Sequence, residues 1–284
     1  MRKVGIITDS AADLPPEVLQ EQKIKEIPLK ITFGREIFRD GIDLSPAEFY
    51  NKMEESTEMP TISSPSAREF LEAFERLKEE GYDGAVCIIA SNNIVKVFNA
   101  ACEARDLALP FPVMVVESHA ATMNQGFLVL EAARAADQGF AIGEIVERLW
   151  QIRPHIRFWG VVSVLHFMVR ACKISKGSAF MRALFNVKPI ITIDEEGAVD
   201  SVDKVRSFQQ GMAYLLREIE KETSRDGKLH VAVLHAGEKE KAESLLEEIS
   251  SRHDCFEKYL CDLTPAIGSF TGPGVAGVSY YIEK

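Results

Sequence analysis

The sequence has no excess of basic residues and no long apolar run, and each absence excludes a class of protein. Lysine and arginine number 33 against 43 acidic residues, which gives a net charge of −10. Nucleic-acid surfaces need an excess of cations to bind phosphates, so this balance argues against one. The longest apolar run, residues 158–169, contains a histidine and falls short of the ~20 residues of a membrane span.

Cysteine is scarce as well, and the motifs of the common enzyme classes are missing. The five cysteines form no C-x-x-C pair and have no zinc spacing with histidine. The apolar stretch at residues 4–7 is too short for a signal-peptide core. We therefore expect reduced thiols, a cytoplasmic protein and no metal. No G-x-S-x-G, H-E-x-x-H, Walker or EF-hand pattern occurs, and this favours a binding protein over an enzyme.

The first half of the chain alternates short apolar runs with amphipathic stretches. This β-α-β-α order predicts a mostly parallel sheet covered by helices. Strands are predicted at residues 3–8, 27–33, 84–90 and 113–117, and helices at 65–80, 95–107 and 126–138.

The second half is richer in strands and predicts an α+β domain. A helix ends near Pro154, which places a boundary there and divides the chain into domains 1–155 and 156–284. Strands are predicted at residues 158–164, 189–194, 198–202 and 230–235 and at the carboxyl end, and helices at 174–185, 207–223 and 239–252. Gly197 lies in the turn of the predicted hairpin.

Short polar side chains follow three predicted strands of the first half, at residues 8–10, 91–93 and 117–119. Ligands of parallel sheets bind at the carboxyl ends of the strands. A fourth polar cluster, "PTISSPSAREF", contains Ser66 and Glu69 at the spacing of a capping box. Each cluster also has a purely structural interpretation, as a helix cap or a turn, so only their convergence indicates a site for an anion.

Near the carboxyl end, residues 272–277 read G-x-G-x-x-G, the pattern of a dinucleotide-binding loop. That loop needs a following helix to receive a pyrophosphate, whereas residues 278–282 are typical of a strand. We therefore predict a tight turn that enters a strand.

Taken in order, six motifs resemble the DegV family of bacterial lipid-binding proteins. They are "IITDSAADLP", "PTISSPSAREF", "VVESHAATMNQGFLV", "NVKPII", "DKVR" and "TGPGVAGV", and they cover the chain from residue 6 to residue 278. The resemblance implies two α/β domains with a fatty acid held between them. It also implies a partner kinase that phosphorylates the bound acyl group, with no cofactor and no catalysis by this chain.

The resemblance implies a set of ligand-binding residues, and three of them stand where the family has another residue. Phe270 replaces a histidine, Val95 lies in a loop that has lost its serine, glycine and threonine, and Lys173 replaces an arginine. Ile62 likewise stands where the family has threonine. His119, His166 and Asn92 are possible substitutes. The full set is Thr61, Ser63, Ser91, Asn92, Val95, His119, Lys173, Phe270, Thr271 and Gly272.

Three functions remain open from the sequence. The first is a fatty-acid-binding protein that presents its ligand to a kinase. The second is a divergent member that binds a neutral or bulkier lipid without a kinase, because hydrogen-bonding groups have become apolar at residues 62, 95 and 270. The third is a transferase that acts on a small anion.

Overall fold

The computed structural model describes residues 3–56, 58–164, 167–168, 187–223 and 227–283. Contacts group the chain into two compact units. The first comprises Met1–Leu44, Pro60–Pro154 and Glu195–Gly197, and the second comprises Ser45–Met59, His155–Asp194 and Ala198–Lys284. Two segments, residues 45–59 and 195–197, thus group with the half of the chain to which they do not belong in sequence.

A four-stranded parallel sheet forms the centre of the first unit. Its strands are β1 (Val4–Asp9), β2 (Ile24–Ile27), β6 (Gly84–Ile89) and β7 (Val113–Glu117), in the order β2-β1-β6-β7. Every neighbouring pair is parallel. All residues of β1 and β6 are buried, as expected for strands covered on both faces. The predicted α/β class with a parallel sheet is confirmed.

Five helices belong to this unit. They are α1 (Pro16–Glu21), α3 (Ala67–Glu79), α4 (Phe98–Leu107), α5 (Thr122–Asp137) and α6 (Ile142–Ile152). Ser66 and Glu69 form the predicted capping box at the start of α3. Helix α5 is buried along almost its whole length and begins at Thr122, four residues before its predicted start.

A second sheet of the first unit has the order β4-β3-β5 and is antiparallel. Its strands are β3 (Lys30–Phe33), β4 (Glu36–Arg39) and β5 (Thr61–Ser63). The prediction of one strand at residues 27–33 is wrong, because β2 ends at Ile27 and β3 begins in this other sheet. Pro28 lies between them and has no N–H to continue the parallel ladder.

The second unit contains a six-stranded sheet of order β10-β9-β8-β13-β11-β12, antiparallel except between β11 and β12. Its core is made of aliphatic side chains and Tyr280. The strands are β8 (Arg157–Val162), β9 (Lys188–Ile193), β10 (Val199–Val205), β11 (Lys228–Ala236), β12 (Cys255–Asp262) and β13 (Val275–Glu283). The helices are α2 (Pro46–Glu55), α7 (Phe208–Thr223), α8 (Lys239–Arg252) and α9 (Pro265–Thr271). The predicted helix 174–185 lies outside the described residues.

The length and the hydropathy of a helix decide whether it can cross a lipid bilayer. Within the described residues, each helix is too short or too polar to span one.

Candidate functional site

The polar residues that follow β1, β6 and β7 lie at one edge of the first unit's parallel sheet. The three strands are adjacent and parallel, so their carboxyl ends meet at this edge. β1 ends at Asp9, β6 is followed by Ser91 and Asn92, and β7 is followed by Ser118 and His119. Three of the four polar clusters found in the sequence therefore share a location in the fold.

Asp9 has a structural role at this edge of the sheet. Its carboxylate is fully buried and accepts hydrogen bonds from the N–H groups of Ala11 at 3.0 Å and Ala90 at 2.8 Å. Gln125 Nε2 donates to it at 3.3 Å. Burial raises the pKa of Asp9 to about 6, although these hydrogen bonds oppose the shift. The carboxylate caps the 3-10 helix Ser10–Ala12 and joins β1, β6 and α5.

The neighbouring Ser10 has an equally internal role. Its hydroxyl donates to Asp40 Oδ2 at 2.6 Å and accepts from the Leu29 N–H at 3.0 Å. Glu26 lies on the adjacent strand β2, and its pKa is raised to about 8 by burial first and then by the charges of Asp40 and Asp9. The Ser10 hydroxyl therefore holds the loop after β1 to Asp40 and Leu29, and it has no proton left to donate to a ligand.

Ser91 begins the loop after β6 and keeps a proton that it can donate. The Ser91 N–H donates to Ala120 O at 2.7 Å, and Ser91 Oγ accepts from the Asn93 N–H at 3.2 Å. No acceptor among the described residues takes the hydroxyl proton of Ser91. Val95 is buried in the same loop, and its N–H bonds back to Ser91 O at 2.9 Å. The loop therefore combines one hydroxyl donor with an apolar wall.

Asn92 is exposed in this loop. Its backbone N–H donates to Glu117 Oε1 at 2.8 Å, which ties the loop to the end of β7. Its carboxamide has no hydrogen-bond partner in the part of the chain that the structure describes. Asn92 can therefore offer a ligand both a donor and an acceptor.

His119 lies half-buried after β7 with a left-handed φ of 51°. Its Nδ1 is 3.3 Å from Glu196 O, and Asn93 Nδ2 donates to the same oxygen at 2.8 Å. A carbonyl oxygen only accepts, so Nδ1 carries the proton in this contact. In the neutral ring Nε2 is then an acceptor, and it becomes a second donor only when the ring is protonated.

Gly197 packs directly against these residues. A Cβ atom at this position would lie 2.3 Å from Ser91 Oγ and 2.7 Å from the carbonyl carbon of His119, and its φ is 77°. Only glycine combines this conformation with so close an approach. The turn 195–197 thus covers one side of the Ser91 loop.

Thr61 and Ser63 lie on β5 of the other sheet. Both are exposed and alternate with Ile62, so the two hydroxyls point to one face of the strand. No hydrogen bond joins either hydroxyl to Ser91 within the described ranges. The structure therefore groups Ser91, Asn92, Val95 and His119 closely but shows no contact that adds Thr61 and Ser63 to them.

The remaining predicted residues belong to the second unit. Phe270 and Thr271 are buried at the end of α9, and the Thr271 hydroxyl donates to Ile267 O at 3.1 Å. Gly272 has a φ of 73°, and a Cβ there would lie 2.2 Å from the ring of Phe167. Lys173, like His166, lies outside the described residues.

The loop around Gly272 leads into β13, not into a helix. Gly274 also has a positive φ, of 74°, and its N–H donates to Ala236 O at 2.8 Å. β13 begins at Val275, so the prediction of a tight turn that enters a strand is confirmed. No helix N-terminus stands here to receive a pyrophosphate.

The polar start of α5 was not predicted from the sequence. Thr122, Asn124 and Gln125 are all buried there. Gln125 Nε2 donates to Thr8 Oγ1 at 3.0 Å, which ties the helix to β1. The signal was the segment "TMNQ", which has three polar residues at the head of an otherwise apolar stretch. The described residues contain no cluster of three His, Cys, Asp or Glu side chains fit to hold a metal ion.

This arrangement agrees with the comparison of the chain with known proteins. The family profile described as "Uncharacterised protein, DegV family" matches residues 3–283. The chain belongs to the DegV family. A DegV domain-containing protein of Halalkalibacterium halodurans is 30% identical over 284 residues, which cover 100% of both chains. Protein DegV of Bacillus subtilis is 28% identical over 278 residues, or 98% of each chain.

Two solved DegV structures resemble this one over the full length. One is a DegV family protein from Thermus thermophilus that binds fatty acid, with a TM-score of 0.91, 26% identity and coverage of 99% of this chain and 100% of that chain. The other is DegV from Bacillus subtilis, a fatty acid binding protein, with a TM-score of 0.91, 27% identity and coverage of 100% of both chains. This DegV family member therefore shares its whole fold with two fatty-acid-binding proteins.

Proposed function

We propose that this chain binds a long-chain fatty acid or a related lipid and performs no chemistry on it. The observation that carries the proposal is the full-length likeness to the two fatty-acid-binding DegV proteins, at a TM-score of 0.91 each. The match extends over both compact units, and no insertion large enough to form a further domain separates the chains.

The Ser91 loop supports a role in contacting the polar end of such a lipid. A fatty acid carries one carboxylate, which needs hydrogen-bond donors when it leaves water. Among the described residues, nothing accepts the Ser91 hydroxyl proton or bonds the Asn92 carboxamide, and Val95 offers an apolar surface beside them. His119 adds a donor when its ring is protonated. Thr61 and Ser63 remain proposed members of the site on the strength of the resemblance.

The surroundings of Ser91 Oγ also bear on the transferase considered from the sequence. A serine nucleophile needs a base within hydrogen-bond reach, and the one described partner of Ser91 Oγ is the Asn93 N–H. The hydroxyl is therefore an ordinary donor and not an activated nucleophile. This favours binding over the transferase considered from the sequence.

Lys173, Phe270, Thr271 and Gly272 stay predictions from the resemblance. The Thr271 hydroxyl already donates within α9, so this side chain can only accept a hydrogen bond from a ligand. Phe270 is apolar where the family has histidine, and it supplies no donor at all. Any carboxylate contact in this segment must come from backbone N–H groups or from Lys173.

Presentation of the bound acyl group to a kinase is the finer form of the proposal. A second candidate is a member that binds a neutral or bulkier lipid and has no kinase partner. The burial of Val95 and Phe270, together with Ile62 in place of threonine, favours it, because these residues cannot hydrogen-bond a carboxylate.

Thermal unfolding in the presence of palmitate or methyl palmitate separates the two candidates. The acid and its methyl ester share the acyl chain but not the charge, so a larger rise in Tm with palmitate supports carboxylate recognition. Ser91→Ala should raise the Kd for palmitate roughly tenfold, because it removes one hydrogen bond to a charged group. Ser279→Ala is the matched control, since Ser279 is a buried serine of β13 whose hydroxyl has no partner among the described residues.

The outcomes of this experiment are distinct. A response to palmitate that Ser91→Ala weakens and Ser279→Ala retains supports the first candidate. Stabilisation by methyl palmitate alone supports the second. A protein that neither compound stabilises, and that inorganic phosphate does stabilise, contradicts lipid binding.

A further inference from the structure

The first turn of α5 lacks the side-chain caps with which α3 and α6 begin. Helix α3 begins with a serine–glutamate capping box, and in α6 Glu144 bonds the Ala141 N–H. Helix α5 follows Ala121, which has no polar side chain, and its first turn contains no acidic residue. The first N–H groups of a helix have no partners within the helix, so a buried start without a cap leaves donors for another acceptor.

Two side chains of this turn are themselves buried without partners. Thr122 is 5% exposed and Asn124 is 6% exposed. Thr122 Oγ1 and Asn124 Oδ1 are enclosed, and neither has a hydrogen-bond partner among the described residues. Buried polar atoms are nearly always hydrogen-bonded in native proteins, so two such atoms in one turn leave hydrogen-bonding capacity that a ligand can use.

The position of this turn is fixed from both sides. Gln125 holds it to β1 through Thr8 Oγ1 at 3.0 Å, and the preceding Ala120 O accepts the Ser91 N–H at 2.7 Å. The α5 amino terminus, residues 121–125, is therefore anchored beside the Ser91 loop.

We propose that the α5 amino terminus binds an anionic oxygen through Thr122 and Asn124. The ligand is a carboxylate or an inorganic oxyanion. That the oxygen belongs to a lipid rests on the proposed function, whereas binding of a free anion does not.

The chemistry of the turn suits such a ligand. Thr122 Oγ1 can donate its proton to the oxygen, and the positive end of the helix dipole favours a negative charge there. The carboxamide of Asn124 can turn by about 180° so that Nδ2 replaces Oδ1, which converts an acceptor into a donor. Helix N–H groups complete the set. This site supplies donors that the apolar Ile62 and Val95 do not.

Binding of palmitate and of inorganic phosphate to four proteins tests the proposal. The proteins are the wild type, Thr122→Val, Thr122→Ser and Asn124→Asp, measured by calorimetric titration and by Tm. Thr122→Val keeps the branched shape and removes the hydroxyl, so we expect a Kd about tenfold higher or more. Thr122→Ser keeps the hydroxyl and should bind within about threefold of the wild type. Asn124→Asp places a carboxylate in the turn and should repel either anion, with Tm unchanged or raised.

Loss of palmitate binding in Thr122→Val with retention in Thr122→Ser supports the proposal with a lipid carboxylate. Phosphate binding that follows the same pattern, with no palmitate binding to any protein, supports the site and refutes the lipid function. Equal palmitate affinity in wild type and Thr122→Val overturns the site and leaves the lipid function intact. If the wild type binds neither palmitate nor phosphate, the proposed site is wrong.

Asn124→Asp keeps the test decisive if Thr122→Val does not fold. An Asn124→Asp protein with normal Tm that binds the anions as tightly as the wild type overturns the proposal. One with normal Tm and weakened binding supports it.

Discussion

Replacement of Gly197 by alanine should destabilise the first unit by more than its backbone conformation explains. The φ of 77° alone costs an L residue about 1–2 kcal/mol. The added Cβ would also lie 2.3 Å from Ser91 Oγ and 2.7 Å from the carbonyl carbon of His119. The serine hydroxyl can rotate away, but the backbone carbon cannot, because the next residue is held by the 2.7 Å bond from Ser91 N–H to Ala120 O.

The clash of the added Cβ atom costs less free energy to remove if the turn 195–197 moves away from the sheet edge. That movement breaks the hydrogen bonds of Asn93 Nδ2 and His119 Nδ1 with Glu196 O. Each bond contributes about 1 kcal/mol, so lifting adds about 2 kcal/mol to the conformational cost. We therefore expect Gly197→Ala to lower the free energy of unfolding by about 3–4 kcal/mol.

Gly81→Ala is the matched control for this measurement. Gly81 has a φ of 87°, and a Cβ there would meet no atom within 4 Å, so only the conformational cost of about 1–2 kcal/mol applies. Urea unfolding of both variants gives the difference, which we expect to be about 2 kcal/mol. Equal destabilisation by the two variants would refute the close packing of the turn on Ser91 and His119.

Two further predictions concern buried carboxylates. The pKa of Asp9 is about 6 in the folded protein against an ordinary value of 3.8, so the native state holds this proton more tightly than the unfolded state does. The protonated carboxyl therefore contributes stability below pH 4, and this contribution is lost as the pH rises through 6. Between pH 4 and pH 7 the stability of Asp9→Asn should therefore rise relative to the wild type by up to about 3 kcal/mol in urea unfolding, and a constant difference would contradict the burial of the charge. Glu131 is buried between Arg134 at 2.5 Å and Arg148 at 3.1 Å, so Glu131→Gln should cost about 2 kcal/mol. The exposed Glu72, in an i,i+4 pair, is its control, and Glu72→Gln should cost less than about 0.5 kcal/mol; similar costs would refute a structural role for Glu131.

The parallel sheet of the first unit could be predicted because its strands carry their own signals. β1, β6 and β7 are short apolar runs that end in small polar residues, and helix-period segments separate them. The same pattern located the Ser91 loop and His119 at the sheet edge. Local sequence is sufficient where burial on both faces dictates composition.

Other elements depended on contacts that the sequence does not display. β12 alternates exposed and half-buried residues at the edge of its sheet, so it has no apolar run. The start of α5 was predicted at residue 126, because Thr122, Asn124 and Gln125 read as a polar loop. Gln125 is buried there by its bond to Thr8, which lies far away in the chain. Tertiary hydrogen bonding thus overrode the polar pattern, and the same residues form the proposed anion site.

Native mass spectrometry of the freshly purified protein, with organic extraction of anything bound, tests the central claim most directly. If the chain is a fatty-acid-binding protein, the spectrum will show one equivalent of a ligand that extraction identifies as a long-chain fatty acid. A neutral lipid in its place would favour the second candidate. A protein that carries no lipid, and that added palmitate does not stabilise, would contradict the account.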